Sequence, residues 1–573
     1  MLYKKPEKGE RIFNDALLDQ VLWMNSIYTK EKYFEEIESM EDKIERLGVE
    51  NVSTDFPFEL DTNQKFFEAL ERNLRKKIVI VGDYDVDGVS ATAIAYKYLT
   101  YLGANFDWII PNRFVDGYGL KQGMVDKAIE KGAEVILTVD NGIKSKHAIE
   151  YAVSKGVPVL VTDHHQPDVP NFPHDAEVIV NPHVGNEGLK FKEICGATVI
   201  FQLFYHHLKR KGASDLEIRS TLADSYDIVA VATVADVMPM KHANRTLVQS
   251  FVKRVRKGKV FNVGIKKMIE AQSINPNTFS SLDIGFLIGP LVNAPGRLVS
   301  ADIGVEILTS PSGTVAKKKA DEANKKNSER KDKTLSLKEI AFAKINENDG
   351  VHVIYIPEAN EGLIGITSGQ ITEKFGKPSF VFTDSEGGVK GSGRSPLNFD
   401  LISAATKVLE ANPEWALGYG GHPGAMGLSL KDANALRGFK KEMNRIYREL
   451  DPKTLIKPYI GQEVFEVRSF EEIAQKLKKL EPYGEEFQYP LFQLKGEVNE
   501  IRHLGKRVGP NKEPIKDHTM FRISGMDTKF LWFKNILPTD CVGKKYEIFF
   551  QINESEFRGE TKFDAFVKDL IEI

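Results

Sequence analysis

Short runs of apolar residues punctuate the chain from residue 76 onwards: Lys77–Val81 (KIVIV), Val135–Val139 (VILTV), Val157–Val161 (VPVLV) and Glu177–Val180 (EVIV). Successive apolar positions leave neither face for water, and a helix-like segment follows each run. Such runs predict buried parallel strands joined by helical crossovers, a doubly wound α/β sheet. Another apolar stretch, Asp224–Met240 (DSYDIVAVATVADVMPM), ends in polar residues and reads as a further strand end. Residues 1–75 show helical spacing, as in FNDALLDQVLWMN. The segment 313–334, GTVAKKKADEANKKNSERKDKT, is charged and poor in apolar residues, which suits a long exposed helix joining two lobes. A second α/β region opens at VHVIYI near Val351, and the end of the chain alternates apolar and polar residues, as in KYEIFFQI and KFDAFV. That alternation predicts a small β-barrel. The expected order is a helical segment (1–75), an α/β lobe (76–312), a connecting helix (313–345), a smaller α/β lobe (346–452) and the barrel (453–573).

Composition narrows the class. Of 573 residues, 42% are hydrophobic and 28% charged, a globular mix that excludes whole-chain disorder. No apolar run approaches the ~18 residues of a membrane span. The N-terminus, MLYKKPEKGE, lacks the apolar core of a secretory signal. Two cysteines, Cys195 and Cys541, cannot build a disulfide framework or a thiolate metal site. A cytoplasmic protein with no membrane association is expected. The net charge of -3 argues against an all-over basic coat, so any nucleic-acid contact must be local.

Candidate chemistry gathers at the strand ends. The first run leads into GDYDVDG, where Asp83, Asp85 and Asp87 alternate before Gly88. Adjacent carboxylates repel one another unless a cation lies among them. The spacing imitates the start of an EF-hand loop, but Ile94 stands where that loop needs Glu, and a strand precedes it. The second run ends at Asp140 (VDNG), the third at Asp163, His164 and His165 (TDHHQP), and VATVADVMP places Asp236 at a fourth end. One Asp after a strand is an ordinary cap or turn residue. Four converging ends are not, because open parallel sheets bind ligands at their carboxyl edge. Many carboxylates, few imidazoles and no thiolates favour Mn²⁺ or Mg²⁺ over structural Zn²⁺. The ligand surplus points to two ions, which can bridge a phosphate and lower the pKa of an attacking water. The residues thus read as a site for metal-assisted phosphoester hydrolysis; no P-loop motif is present.

In this order, DYDVDG, VDNG, DHH and ADVMP resemble the four motifs of the DHH phosphoesterases, and GYGGHPGAMG resembles the GGH motif of the companion DHHA1 domain. PNRFVDGYGL (111–120), LVNAPGRL (291–298), EGLIGITSGQITEKFGKP (361–378) and KGSGRSPLNFDL (390–401) narrow the resemblance to the RecJ family. Residues 460–492 are similar to the start of that family's OB-fold. The resemblance implies a DHH lobe, a DHHA1 lobe and an OB-fold barrel that binds nucleic acid. It implies that Asp83, Asp85, Asp87, Asp140, His164 and Asp236 line a two-metal site, with Asp140 bridging. Asp87, His164 and Asp236 would complete one ion site and Asp83 and Asp85 the other. His165 would contact the scissile phosphate and Asp163 orient a neighbouring histidine. Arg297 would neutralise charge on the reacting phosphate. Arg113, Ser392 and Arg394 would hold a terminal 5′ phosphate, with Gly420, Gly421 and His422 close to the substrate.

The implied activity is a Mn²⁺- or Mg²⁺-dependent exonuclease on single-stranded DNA, running 5′ to 3′ in repair, recombination or replication. It would act as a monomer, with a single-stranded-DNA-binding protein or a helicase as partners. Two alternatives stand beside it. A small-substrate branch of the DHH group cleaves short RNAs, pAp or cyclic dinucleotides but lacks the barrel. A catalytically inactive replication scaffold would have lost metal ligands, whereas every acid is kept here. Basic residues of 313–334 and the cluster Lys253, Arg254, Arg256, Lys257 and Lys259 are candidate DNA-facing surfaces. Trp532 and Phe533 are adjacent, so only one can face the barrel core, leaving the other for base stacking.

Overall fold

Ile78–Val81, Phe106–Ile109, Val135–Val139, Val159–Thr162 and Val178–Val180 form one five-stranded parallel sheet in a computed structural model. The structure describes residues 2–4, 8–13, 15–38, 59–396, 398–450, 458–460, 462–463, 470–505, 518–557 and 560–573. The helical reading over 39–58 and the OB-like stretch 464–469 lie outside the described residues. Three of the strands, IVIV, VILTV and VLVT, are buried at every position, which is why no alternation marks them. Phe106–Ile109 was not among the expected strands. It lies at the sheet edge, is half-buried throughout, and carries Asp107 paired with Lys131 at 3.0 Å, so its apolar run is broken. In space the strands follow the order second, first, third, fourth, fifth. The connections reverse between Ile78–Val81 and Val135–Val139, and the crevice opened there is the expected ligand position. Asp83 and Asp140 follow those two strands.

The stretch Asp224–Met240 is not a strand. It forms the helix Ala223–Ala235, and Asp236 is its C-cap. Most of this helix is buried, so it is apolar all round, and periodicity cannot distinguish such a run from a buried strand. Its length should have decided for helix.

The charged segment forms the helix Gly313–Ala343, with the Ser312 hydroxyl accepting the Val315 amide at its start. Ala320 and Ala323 join the core of the first lobe, and Leu337 and Ala341 that of the second. Its lysines are mostly engaged by acids: Lys317 with Asp321, Lys319 with Glu306, Lys326 and Lys333 with Glu329. These exposed pairs mark a solvated face and contribute little stability. Arg254 and Arg256 are also structural, paired with Asp227 and Glu481 at 2.6 Å each.

The second lobe is a mixed sheet in the order Ala416–His422, Ala425–Leu430, Gly388–Arg394, Ser379–Ser385, His352–Tyr355, with only the last pair parallel. At the C-terminus, Phe492–Leu504, His518–Ile523, Phe530–Trp532, Glu560–Glu572 and Lys545–Phe557 pair in turn. Pairing of Phe492–Glu497 with Lys545–Phe550 closes them into a five-stranded barrel. Phe521, Phe530 and Phe550 fill its core, Phe549 is also buried, Trp532 packs partly against that core, and Phe533 stands 44% exposed.

The N-terminal region is helical at Ala16–Met24, Lys30–Glu36 and Asn63–Asn73, but it opens with a strand, Leu2–Lys4, paired in parallel with Pro458–Ile460. Among the described side chains that join this region to the rest, Arg245 makes the most bonds at one point. Arg245 is buried and donates to the carbonyls of Ile37, Leu480, Glu481 and Pro482 at 2.6–3.1 Å. Its guanidinium also lies 4.6 Å from the Phe487 ring centre.

Candidate active site

Asp85 caps the helix Val86–Tyr101, accepting the Gly88 amide at 3.0 Å, which places Asp87 in the first turn. The Asp87 carboxylate then accepts the amides of Gly196 and Ala197, at 2.6 and 2.9 Å, at the N-terminus of the helix Gly196–Arg210. A helix N-terminus favours a negative charge, so Asp87 is fixed by fold as well as by sequence. Gly196 is required here because a Cβ would come within 2.6 Å of Asp140 Oδ1. Asp140 has φ 62°, a left-handed conformation uncommon outside glycine. Asp236 reaches the cluster from the helix end described above.

His164 joins the two sides. Its Nε2 lies 3.2 Å from Asp140 Oδ1 and 3.6 Å from both Asp87 Oδ2 and Asp236 Oδ2. Three sets of ligand atoms converge within 4.8 Å: Asp87, His164 and Asp236; Asp83, Asp85 and Asp140; and Asp140, His164 and His165. Asp140 belongs to two of them and touches both halves of the site.

The electrostatics fit a cation. Both oxygens of Asp83, Oδ1 of Asp140 and Oδ2 of Asp236 are buried without a hydrogen-bond partner. A buried carboxylate oxygen left unpaired is costly. Burial, then the charge of Asp85, pushes Asp83 up to about 8. Burial and the nearby Asp87 raise Asp140 and Asp236 well above the carboxylate range. Burial lowers His164, favouring the neutral imidazole that metals require. Oxygen-rich donors with one imidazole suit Mn²⁺ or Mg²⁺.

His165 differs. Burial disfavours its charge, but its hydrogen bond to Asp163, 2.8 Å from Nδ1, and the charges of Asp163, Asp85 and Asp87 together raise its pKa. Asp163 would be raised by burial, yet His165, His164 and the Ile143 amide bring it down to about 2. The Tyr118 hydroxyl lies 2.9 Å from His165 Nε2.

A second cluster is cationic. Arg113 stacks 3.9 Å from the Tyr84 ring centre, and its Nε is buried without a partner. Burial, then Arg113, Arg330 and Arg394, lowers Arg297 to about 9. Burial and Arg113 likewise lower Arg394, whose Nη1 donates to Ser392 Oγ at 3.1 Å. Mutually repelling guanidiniums beside an unpaired donor form a site for an anion, and the planar fork of Arg suits phosphate. Arg297 Nη1 also donates to Gly362 O at 3.0 Å, across the lobe boundary.

The expected residues Asp83, Asp85, Asp87, Asp140, His164, His165 and Asp236 are thus brought together, as are Arg113, Arg297, Ser392 and Arg394. Gly420, Gly421 and His422 lie on the exposed strand Ala416–His422, two strands from Ser392 and Arg394 in the same sheet, with Gly420 in register with Gly427 and that with Ser392. His422 Nδ1 accepts the Gly424 amide, and among the described residues these three make no hydrogen bond to either cluster. Sequence reading did not single out Gly196, Tyr84 or Tyr118. Arg330 was seen only as one charge of a basic run. Its signal is three-dimensional: its Nε and Nη2 donate to Asn327 Oδ1, and its charge lies close enough to lower Arg297.

Family models match three parts of the chain: the DHH family N-terminal domain at residues 77–233, the DHHA1 domain at 348–449 and the RecJ OB domain at 468–569. Fold and site together define a DHH phosphoesterase. The single-stranded-DNA-specific exonuclease RecJ of Salmonella typhimurium is 33% identical over 516 residues, covering 86% of this chain and 87% of that one. RecJ of Escherichia coli K12 is 33% identical over 531 residues, covering 88% and 90%. The crystal structure of RecJ from Thermus thermophilus in complex with Mn²⁺ matches with a TM-score of 0.76 at 26% identity, over 96% of this chain and 75% of that one. The chain belongs to the RecJ family.

Proposed function

We propose that this chain is a divalent-metal-dependent exonuclease that removes mononucleotides from the 5′ end of single-stranded DNA during repair, recombination or replication. One observation carries the reading: buried, unpaired carboxylate oxygens of Asp83, Asp140 and Asp236 stand beside a cluster of four arginines. The relatives named above, and a solved relative containing Mn²⁺, support the same substrate and cofactor class.

Asp87, Asp140, His164 and Asp236 would hold one cation, and Asp83, Asp85 and Asp140 a second. Such ions neutralise phosphate charge and lower the pKa of an attacking water. The protein's own groups do the rest. Arg113, Ser392 and Arg394 grip the terminal phosphate, and Arg297 and Arg330 hold a positive field over the reacting one. His165, oriented by Asp163, would donate from Nε2 towards a phosphate oxygen. Gly362 meets the Arg297 carbonyl so closely that a Cβ would lie at 2.3 Å. The lobes therefore touch directly beside the arginine cluster, and a narrow passage between them would admit one strand and exclude a duplex.

The decisive experiment is digestion of single-stranded DNA labelled at either end, with Mn²⁺ and with Mg²⁺. A 5′ label should appear at once as mononucleotide while the 3′-labelled strand shortens stepwise. The reverse pattern would overturn the polarity, and action on dinucleotides alone would favour a small-substrate enzyme.

Stability should depend on pH in a definite sense. Asp83 has a folded pKa above its unfolded one, so its contribution is complete below pH ~4. It is lost as pH rises towards about 8. Asp140 and Asp236 act in the same direction. Cation binding needs the ionised carboxylates, so stabilisation by Mn²⁺ over chelator should grow across that window. Unfolding midpoints at pH 5 and pH 8 check this; an equal Mn²⁺ effect at both would remove the link.

A further inference from the structure

Three apolar side chains stand exposed beside the acidic cluster. Val237, which follows Asp236, is 62% exposed, Leu282 60% and Phe286 73%. Leu282 and Phe286 lie four residues apart on one helical segment, about a turn from one another. The π-helical turn Ile284–Ile288 packs on the end of the helix Ala223–Ala235. A Cβ on Gly285 would lie 3.6 Å from Val234 Cγ1, and one on Gly289 3.6 Å from Ala235 Cβ. That is the helix that Asp236 terminates. The helix Gly289–Gly296 then runs on to Arg297. One continuous segment therefore carries Phe286 at the acidic end and Arg297 at the phosphate end, roughly 16 Å away at the rise of a helix.

The same stretches of chain also lead to the barrel. The Met240 amide donates to Glu485 O at 2.8 Å, and Ser281 Oγ donates to Tyr483 O at 2.6 Å. The chain next to Val237 and the chain next to Leu282 are thus both bonded to the segment that enters the barrel. Val237 supplies an independent sign. Its φ is 56°, a conformation that β-branched residues avoid, yet its side chain does not enter the core. Strain retained at an exposed apolar residue is a mark of a functional surface.

Resting on the exonuclease reading above, we propose that Val237, Leu282 and Phe286 form a ledge on which bases of the DNA strand stack as it passes from the cleavage site towards the barrel. A strand whose phosphate lies at the acidic cluster has its next bases within reach of these side chains. Stacking of this kind is tolerant of sequence because every base has a π face.

The test measures binding of a cleavage-resistant phosphorothioate oligonucleotide, 5′-phosphorylated, to the full-length protein with Mn²⁺. Phe286→Ala should weaken binding about tenfold, and Phe286→Trp should restore it. An abasic residue walked along the strand from the 5′ end should cost the original protein a similar factor at one position. At that position Phe286→Ala should pay no additional penalty, because the stacking partner is already absent. Undiminished affinity of Phe286→Ala, or an abasic penalty that persists in it, would overturn the ledge. An original protein that neither binds nor cuts single-stranded DNA would overturn the exonuclease reading instead.

Discussion

Asp140→Asn is expected to abolish nuclease activity while leaving the metal-free protein at least as stable as before. Asp140 is shared between two of the converging ligand sets, so its replacement weakens both at once. Loss of a group that merely orients a ligand already costs about 10–100-fold. Loss of the shared carboxylate should therefore cost on the order of 10³-fold or more. Stability should move the other way. Burial and the charges of Asp87, Asp85, Asp236 and Asp83 all disfavour ionised Asp140. An amide of the same shape relieves that repulsion. Turnover on single-stranded DNA and the unfolding midpoint in chelator should be measured together. Full turnover with Mn²⁺ would remove the proposed site, and a collapsed fold would show that the carboxylate is structural.

The largest effect on stability should come from Arg245→Ala, far from the chemistry. The guanidinium satisfies four carbonyls drawn from the N-terminal region and from the segment entering the barrel. Burial lowers its pKa only to about 10, so it stays charged at neutral pH. Removing it leaves buried acceptors unpaired and opens space beside Phe487, a loss of about 3 kcal/mol. Arg245→Lys should recover little, because an ammonium cannot span the four positions. Urea unfolding measures the loss, and limited proteolysis near residues 480–487 should show the barrel coming loose first. A variant as resistant as the original would mean that the neighbouring contacts hold the interface without it.

Much of this was legible in the chain. Runs such as IVIV and VILTV announce buried parallel strands because they have no polar alternation. The acids and imidazoles after them announce a cation site because so many like charges cannot otherwise coexist. The element that supplies Asp236 was misread, since a helix buried on all sides leaves no periodic trace. Phe106–Ile109 was missed because an edge strand tolerates Asp107. Charge runs misled in a different way. Most lysines of 313–334 find acids one turn away, so only Arg330 takes part in the cationic cluster, and only the fold can show which. Gly196 carries no signal in sequence at all, because its requirement comes from Asp140 approaching from another part of the chain.

The helix Gly313–Ala343 is built into both lobe cores, and this couples the distance between them to their rotation. Each residue added to its middle would advance the second lobe by about 1.5 Å and turn it by about 100°. Ser392 and Arg394 would swing away from Arg297 long before the gap had widened by one nucleotide. The spacing between the anion cluster and the acidic cluster is thus quantised, like the pitch of a screw. On the proposed exonuclease reading, drift in length within this helix would not tune the size of the excised unit by degrees.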